Sequence, residues 1–341
     1  MSGRNLLITG GFGFIGGHLI DYLTKQYPSD RIHVIDALYS NPIPHEMLLN
    51  ELGPRDNLTY EICTIEDYYN KQDDTKWDQI YHLASIVGPA GVLKYAGNII
   101  KSIVMDTYYL MDIALKNNAR LLDVSTSEIY GGGQEGYCSE EFAKIIPPKT
   151  TIRLEYAIAK LASETALINK AKVSPLDVVI IRPFNIAGPR QSGVGGFVLP
   201  RFIFLSIYNN PLTVFGDGKQ IRAFTHVKDI VKGLVLAMNK GKTMESYNIG
   251  NPENKISIDE LASKVIQITG SGSSKIYVDP KKLYGNLYEE ANDKYPNAVK
   301  AITELEWEPG YAIDQIIKDT YNYMRKLNEK DLLSLAGGHL S

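Results

Sequence analysis

Residues 3–16 read GRNLLITGGFGFIG, a glycine-rich turn between a predicted strand and a predicted helix. Asn5–Thr9 is a short, nearly continuous apolar run, the pattern of a parallel strand that is buried on both faces. Gly10, Gly13 and Gly16 follow at intervals of three and precede residues with helical periodicity. Glycines at these positions permit a tight turn, a close approach of a pyrophosphate to the backbone, and close packing of helix on strand. Because the helix N-terminus also offers free N–H groups to phosphates, the stretch predicts a dinucleotide site.

A second predicted strand, residues 31–35, ends at Asp36. A carboxylate at this place accepts hydrogen bonds from the ribose hydroxyls of the adenosine and repels a 2′-phosphate. The sequence therefore predicts NAD rather than NADP as the cofactor. The alternative is a glycine-rich turn that binds no ligand.

The composition is ordinary for a globular protein and excludes several classes of function. At 341 residues, 44% apolar and 22% charged, the chain can bury a large core, and a net charge of −3 gives no electrostatic case for nucleic acid or an anionic membrane. Cys63 and Cys138 fit no metal or redox spacing, and the six histidines show no ligand spacing, so we expect no metal site. The first strand leaves no room for a signal peptide, and no apolar run is long enough to span a bilayer. These features predict a cytoplasmic location.

The order of predicted elements indicates the fold class. Strands and helices alternate over the first 180 or so residues, which predicts an α/β fold with a doubly wound parallel sheet. The remainder has longer loops, short strands and short helices, and is interpreted as a smaller domain partly interleaved with the first. The predicted bounds are 1–182 with about 224–247 for the NAD-binding domain, 183–223 and 248–330 for the substrate domain, and 331–341 for a flexible tail.

Tyr156 and Lys160 lie four residues apart, on one face of a predicted helix. A nearby ammonium favours phenolate over phenol, and the positive nicotinamide of NAD⁺ adds to this, so the pair predicts a general base near neutral pH for a hydroxyl that is losing hydride. A Tyr-x3-Lys pattern is common by chance among 22 tyrosines. It gains weight from STSEIYG at 125–131, which follows a strand at its carboxyl end, where open α/β sheets bind ligands. The alternative is that these polar residues only cap a turn.

These motifs together resemble those of an extended short-chain dehydrogenase/reductase of the nucleotide-sugar epimerase, dehydratase and decarboxylase type. The matching pieces occur in the family's order along nearly the whole chain: TGGFGFIG at 9–16, Asp36, HLAS at 82–85, STSEIYG at 125–131, YAIAK at 156–160, RPFN at 182–185 and GDGKQIRAFTHVKD at 216–229. The resemblance implies a Rossmann domain with a smaller C-terminal α/β substrate domain. It also implies bound NAD, a nucleotide-sugar substrate, and a homodimer formed through two long helices.

The resemblance assigns roles residue by residue. Tyr156 is the base, Lys160 is its partner and holds the nicotinamide ribose, and Thr126 binds the sugar O4. The implied cofactor-binding residues are Gly10, Gly13, Phe14, Ile15, Gly16, Asp36, Leu83, Ala84, Ser85, Tyr156 and Lys160. Three further residues are implied to bind substrate, the first and last of them at the nucleotide diphosphate: Asn185, Arg201 and Arg222.

The triplet Thr126-Ser127-Glu128 bears on the type of reaction. It resembles the triplet of UDP-glucuronate decarboxylases and of GDP-mannose 4,6-dehydratases. Epimerisation at C4 moves only a hydride, whereas elimination or decarboxylation creates a carbanion-like C5 that needs an acid or base beside it. Glu128, acting directly or through Ser127 or a water, is predicted to do this. Asp106 and the NIGNPEN, LYG and WEP segments at 248–254, 283–285 and 307–309 favour the decarboxylase type.

The sequence thus predicts decarboxylation of a UDP-uronate through transient oxidation at C4. A 4,6- or 5,6-dehydratase, a UDP-sugar 4-epimerase and a non-catalytic NAD-binding protein remain as alternatives. Three residues depart from the pattern of the relatives. Lys294 and Asn297 replace an arginine and an acidic or serine residue, and Thr64 stands in the place of an aspartate that contacts adenine. These departures concern the identity of the nucleotide.

Overall fold

The structure is a computed structural model that describes residues 3–39, 41–71, 74–131, 135–144, 146, 151–193, 196–279, 281–282 and 293–336. The LYG segment at 283–285 and the last five residues of the predicted tail lie outside the described residues. The strands are β1 (Asn5–Thr9), β2 (Arg31–Asp36), β3 (Leu58–Ile62), β4 (Gln79–His82), β5 (Arg120–Val124), β6 (Tyr137–Cys138), β7 (Val178–Pro183), β8 (Ile186–Ala187), β9 (Leu212–Phe215), β10 (Ile221–Ala223), β11 (Thr225–His226), β12 (Ser246–Ile249), β13 (Lys255–Ser257), β14 (Lys275–Val278) and β15 (Tyr295–Pro296).

Helices cover both faces of the central sheet and build most of the smaller part. They are α1 (Phe14–Gln26), α2 (His45–Leu52), α3 (Ile65–Asn70), α4 (Gly88–Lys94), α5 (Ile99–Asn117), α6 (Ile152–Val173), α7 (Val198–Ile207), α8 (Val227–Lys240), α9 (Ile258–Thr269), α10 (Val299–Leu305), α11 (Ile313–Met324) and α12 (Glu329–Ala336). Two short 3-10 helices occupy Ser127–Tyr130 and Pro252–Asn254.

Seven parallel strands form the central sheet, in the order β12-β7-β5-β4-β1-β2-β3. Successive side chains of a strand point to opposite faces, and β1 shows why this sheet is covered on both sides. Leu6 and Ile8 pack in the core beneath α1 and α8, whereas Leu7 packs in the core beneath α5 and α6. The predicted doubly wound parallel sheet is confirmed.

The strand order reverses beside β1, and this reversal fixes where a ligand binds. From β1 the chain builds outward through β2 and β3, and then returns to the other side of β1 with β4, β5, β7 and β12. Loops that follow β1 and β4 therefore diverge and leave a crevice at the carboxyl ends of the strands. The glycine-rich turn follows β1 at this crevice, and residues 83–85 follow β4.

The smaller part is built around β9 and β14, β10 and β13, and the helices α7, α9 and α11. Two segments differ from the predicted organisation. Residues 248–249 belong to β12, which pairs with β7 in the central sheet, because Tyr247 and Ile249 fill the core there. Residues 329–336, predicted in part as flexible tail, form α12, because Leu332 and Leu335 are buried and the helix packs against α7.

Candidate active site

A cavity of about 1520 Å³ opens at the crevice and extends between the central sheet and the smaller part. Its walls bring together residues from nearly every predicted motif: Gly10, Gly13, Phe14, Ile15, Gly16, Asp36, Leu83, Ala84, Ser85, Thr126, Ser127, Glu128, Tyr156, Asn185, Arg201 and Arg222. Lys160 is the one predicted site residue that lies behind the wall rather than in it. A single cavity thus holds the predicted cofactor-binding, catalytic and substrate-binding residues.

The glycine turn has the geometry that a pyrophosphate site needs. Gly10 adopts φ +68°, and a Cβ there would lie 2.6 Å from the backbone nitrogen of Ala84. A Cβ on Gly16 would lie 2.3 Å from the carbonyl oxygen of Gly10, so α1 packs too closely for any side chain. Gly13 lines the cavity, and no side chain caps α1, which begins at the next residue. The first amides of the helix are therefore available to an anion.

Asp36 joins the end of β2 to the glycine turn. Its carboxylate accepts hydrogen bonds from the backbone N–H of Phe12 at 2.9 Å and of Leu38 at 2.8 Å. Burial raises the pKa of this carboxyl, and the two hydrogen bonds oppose the rise. The carboxylate lies in the cavity wall with lone pairs left for further donors, as hydrogen bonding to ribose hydroxyls requires.

Tyr156 and Lys160 lie on α6, facing the end of β5. The Lys160 side chain is buried, and its Nζ donates a hydrogen bond to the carbonyl oxygen of Val124 at 2.7 Å. Burial raises the pKa of the Tyr156 phenol above its usual value, and the charge of Glu128 adds to the rise. Neighbouring hydroxyls, first of all that of Thr126, act in the opposite direction. The surrounding protein groups thus raise the pKa on balance, and the predicted lowering depends on the positive nicotinamide of NAD⁺.

Glu128 is held in the cavity by the start of a 3-10 helix and by a distant lysine. The side chain of Thr126 caps Ser127–Tyr130 by accepting a hydrogen bond from the N–H of Glu128 at 3.1 Å. The Glu128 carboxylate accepts a hydrogen bond from the Lys294 ammonium, with side chains 25% and 2% exposed respectively. Lys294 also lines the cavity. An acidic and a basic group thus stand together beside Thr126 and Tyr156.

The far end of the cavity carries two arginines. The guanidinium of Arg201, on α7, lies over the ring of Phe215 with 4.0 Å to the ring centroid, and it donates to the carbonyl of Thr213 at 2.8 Å. Arg222, on β10, forms a bridge with Lys294, so the strand of this arginine lies directly beside the Glu128 partner. Two positive side chains and an aromatic ring suit a nucleoside diphosphate.

The remaining polar residues have structural surroundings. His82 shares a hydrogen bond of 2.9 Å with Thr9, and His226 caps α8 by accepting from the N–H of Lys228 at 3.0 Å. Cys138 is buried, whereas Cys63 is half-buried and lines the cavity. Within the described ranges, no three His, Cys, Asp or Glu side chains come together as metal ligands. None of the helices in the described part of the chain has both the length and the apolar character needed to cross a membrane.

Comparison with known proteins agrees with this geometry. The model of the NAD dependent epimerase/dehydratase family matches residues 6–250. The chain belongs to this family. The UDP-N-acetyl-alpha-D-glucosaminuronate decarboxylase of Bacillus cytotoxicus is 32% identical over 95% of this chain and 98% of that protein. The UDP-glucuronic acid decarboxylase 1 of Xenopus tropicalis is 32% identical over 95% of this chain and 72% of that protein.

A solved structure gives the same picture of the fold. The UDP-glucuronic acid 4-epimerase of Bacillus cereus, crystallised with UDP-glucuronic acid and NAD, superposes with a TM-score of 0.81 at 27% identity. The match covers 95% of this chain and 100% of that one. The resemblance stated from the motifs is confirmed, and the chain is an enzyme of the NAD dependent epimerase/dehydratase family.

Sequence reasoning missed some members of this epimerase/dehydratase site. Phe215 ends β9, where an aromatic side chain reads simply as part of a strand. Ser334 lies on α12 and lines the cavity, although its segment was predicted as part of a flexible tail. Lys294 was noted only as a departure from the family's arginine. The sequence offered one signal that pointed toward the site, namely a basic residue at a position where relatives have an arginine.

Proposed function

We propose that this protein decarboxylates a UDP-uronate through transient oxidation at C4, with NAD as a cofactor regenerated in each turnover. The observation that carries the proposal is the Glu128–Lys294 pair in the wall of the cavity that also holds Tyr156. Hydride transfer at C4 needs only the tyrosine and its partners. A further acid and base beside them suit a reaction in which C5 loses a group and gains a proton. The relatives named for uronate decarboxylases support the same choice.

The residues present fit an NAD molecule. The open amides at the start of α1 would hold the pyrophosphate, and the Asp36 carboxylate would accept from the adenosine ribose. When bound, NAD supplies the acceptor and later the donor of the C4 hydride. Lys160, buried behind Tyr156, supplies positive charge and orients the end of β5 through Val124.

The chain's own residues then divide the remaining work. Tyr156 takes the O4 proton as C4 is oxidised, and Thr126 holds O4 by a hydrogen bond. The carboxyl group on C5 is then β to a ketone, so CO₂ leaves and the electrons of the C–C bond delocalise into the carbonyl. Glu128, ionised while paired with Lys294, relays to C5 a proton that it takes from the Lys294 ammonium or from water, and the pair regains this proton from solvent. Tyr156 returns its proton to O4 when the hydride returns to C4.

The test is turnover of a panel of nucleotide sugars by the purified protein, followed by mass spectrometry. We expect loss of CO₂ from UDP-glucuronate or UDP-N-acetylglucosaminuronate and no change in UDP-glucose. An unchanged mass with inverted C4 indicates the epimerase, loss of water indicates a dehydratase, and NAD binding without any turnover indicates a non-catalytic protein. Any of these three results overturns the proposal.

The role of Glu128 has its own test. Glu128→Gln should still oxidise C4 but stall before C5 gains its proton, so a 4-keto sugar and reduced nicotinamide accumulate and CO₂ release over repeated turnovers slows strongly. Glu304→Gln is a matched control, because Glu304 also accepts a hydrogen bond from a buried side chain, Tyr247, but does not line the cavity. Wild-type CO₂ release by Glu128→Gln would contradict the assignment.

Two further proposals concern the oligomeric state of the protein and its location in the cell. We propose a homodimer through α5 and α6, supported by the exposed apolar side chains Ile100, Met105 and Tyr108 on α5. Tyr108→Glu should then lower the molecular mass measured by analytical ultracentrifugation, whereas an unchanged mass argues against this face.

We also propose a cytoplasmic location. The free thiols of Cys63 and Cys138 support a reducing compartment, and localisation of a tagged chain would test this.

A further inference from the structure

Two hydrogen bonds hold the ends of the catalytic segment 126–128 on a single buried ion pair. Before the segment, the hydroxyl of Ser125 donates a hydrogen bond to the carboxylate of Glu164. After it, the Arg182 guanidinium donates to the Tyr130 hydroxyl at 2.8 Å. Glu164 and Arg182 are themselves joined by two hydrogen bonds, of 3.0 and 2.6 Å. The segment is therefore fixed at both ends to the same two side chains.

The same ion pair also connects the segment to the catalytic helix and to the sheet. Glu164 lies on α6 one turn beyond Lys160 and two turns beyond Tyr156, so the three side chains project from one face of the helix. Arg182 lies on β7. The Tyr130 hydroxyl donates a hydrogen bond of 2.8 Å to the side-chain amide oxygen of Asn248 on β12. These hydrogen bonds thus connect α6, β7 and β12 to the segment that carries Glu128.

The energetics favour a role in geometry over a role in stability. The side chains of Glu164 and Arg182 are only 2% and 4% exposed. The free-energy cost of removing two charges from water offsets most of their mutual attraction. Replacing a buried ion pair with apolar residues of similar volume therefore often leaves a protein equally stable. A bidentate guanidinium–carboxylate pair does, however, fix distance and angle closely. What this pair adds is therefore a defined position for the groups bonded to it.

We infer that the Glu164–Arg182 ion pair is a positioning device that holds Thr126, Ser127 and Glu128 in register with Tyr156. The inference rests on the proposed function in one respect, that the segment and the tyrosine act on the same sugar. The four clamp residues, Ser125, Tyr130, Glu164 and Arg182, act through that segment and through α6. Glu164, Arg182 and Tyr130 are absent from the cavity wall, whereas Ser125 is part of it.

The test uses one mild variant at each end of the segment. Ser125→Ala and Tyr130→Phe each remove a single hydroxyl and leave the ion pair intact. Ser163→Ala is the matched control: Ser163 precedes Glu164 on α6, is equally buried, and accepts a hydrogen bond of 2.9 Å from Thr107 on α5. Its hydrogen bond runs to α5 and not to the segment.

We expect each clamp variant to lower kcat about 10-fold, because displacement of catalytic groups by less than an ångström slows the chemical step. In Tyr130→Phe, KM for the nucleotide sugar and the affinity for NAD should change by less than about 3-fold, since Tyr130 lies outside the cavity wall. The Ser125→Ala/Tyr130→Phe double variant should lose less than the product of the single effects, because release of either end already frees the segment. Ser163→Ala should lower thermal stability to a similar degree and leave kcat unchanged.

The positioning role is refuted if Ser125→Ala and Tyr130→Phe keep the wild-type kcat, or if Ser163→Ala lowers kcat as much as they do. Its failure is distinguishable from failure of the proposed function. If the protein proves to be an epimerase or a dehydratase, the same comparison is made on that reaction, read by the absorbance of reduced nicotinamide in single turnover. If the wild-type protein turns over no nucleotide sugar, both conclusions are wrong.

Discussion

Removing either partner of the Glu128–Lys294 pair should lower the free energy of unfolding, but by unequal amounts. The lysine side chain is 2% exposed and the glutamate side chain 25% exposed. Glu128→Gln removes the negative charge from beside an ammonium that hardly contacts water, so the free energy of unfolding should fall by about 3 kcal/mol. Lys294→Met leaves a carboxylate that water already reaches, so the fall should be only about 1 kcal/mol. The Glu128→Gln/Lys294→Met double variant should be more stable than Glu128→Gln alone, because the buried cation is gone.

Urea denaturation followed by tryptophan fluorescence measures these differences, since Trp77 and Trp307 are both buried. Glu306→Gln serves as the control, because the Lys240–Glu306 pair, 2.7 Å apart, lies on the surface and its loss should leave stability unchanged. If Lys294→Met destabilises the protein as much as Glu128→Gln does, or if the double variant is the least stable of the three, the reasoning from burial is refuted.

Three further predictions concern the cofactor turn, a buried histidine and the last helix. Gly16→Ala should abolish NAD binding in calorimetry, because its Cβ would lie 2.3 Å from a backbone carbonyl of the turn. Gly272→Ala should bind normally, because its Cβ would lie 3.7 Å from the side chain of Asn209, an ordinary contact. Burial lowers the pKa of His18 to about 3, so only the unfolded chain takes up a proton as the pH falls below about 6.5. The free energy of unfolding should then fall by about 1.4 kcal/mol per pH unit on this account, and less steeply in His18→Gln. Deleting residues 329–341 should raise KM for the nucleotide sugar and leave NAD affinity unchanged, because Ser192 in the cavity wall donates a hydrogen bond to the carbonyl of Leu335 on α12. A KM equal to that of the full-length chain would show that α12 is not needed for substrate binding.

Elements that depend on local pattern could be predicted from the sequence closely. The sequence pattern predicts a helix over about 99–117, ended by Asn117 and Asn118. This coincides with α5, in which Asn118 adopts the left-handed conformation that ends a helix. The pattern also predicts a helix over 156–172, but α6 begins earlier, at Ile152. The side chain of Thr151 caps it by accepting from the N–H of Leu154, a signal that the apolar periodicity alone does not include.

Features that depend on distant pairing could not be read from local pattern. Glu128 and Lys294 are 166 residues apart, and the lysine is brought to the site by its bridge with Arg222 and by the pairing of β15 with β6. The last described helix, α12, is half polar in sequence, and most of it falls in the segment that the sequence predicts to be a tail. Its two buried leucines gain a partner only once α7 is in place, so tertiary packing decides that this segment is ordered.

The surroundings of Tyr156 bear on how catalysis is coupled to the cofactor. Burial and the charge of Glu128 raise the pKa of the phenol, although Lys160 lies one turn away on the same helix. The positive charge of oxidised nicotinamide, if bound beside the ring, would lower the pKa of the phenol. Loss of that charge on reduction would let the pKa rise, so the phenol would hold the O4 proton more firmly once the hydride has left C4 and release it when the hydride returns. The same negative neighbour, Glu128, that raises the pKa of the phenol is the group proposed to act at C5, so one carboxylate affects both the proton affinity of the tyrosine and the chemistry at C5.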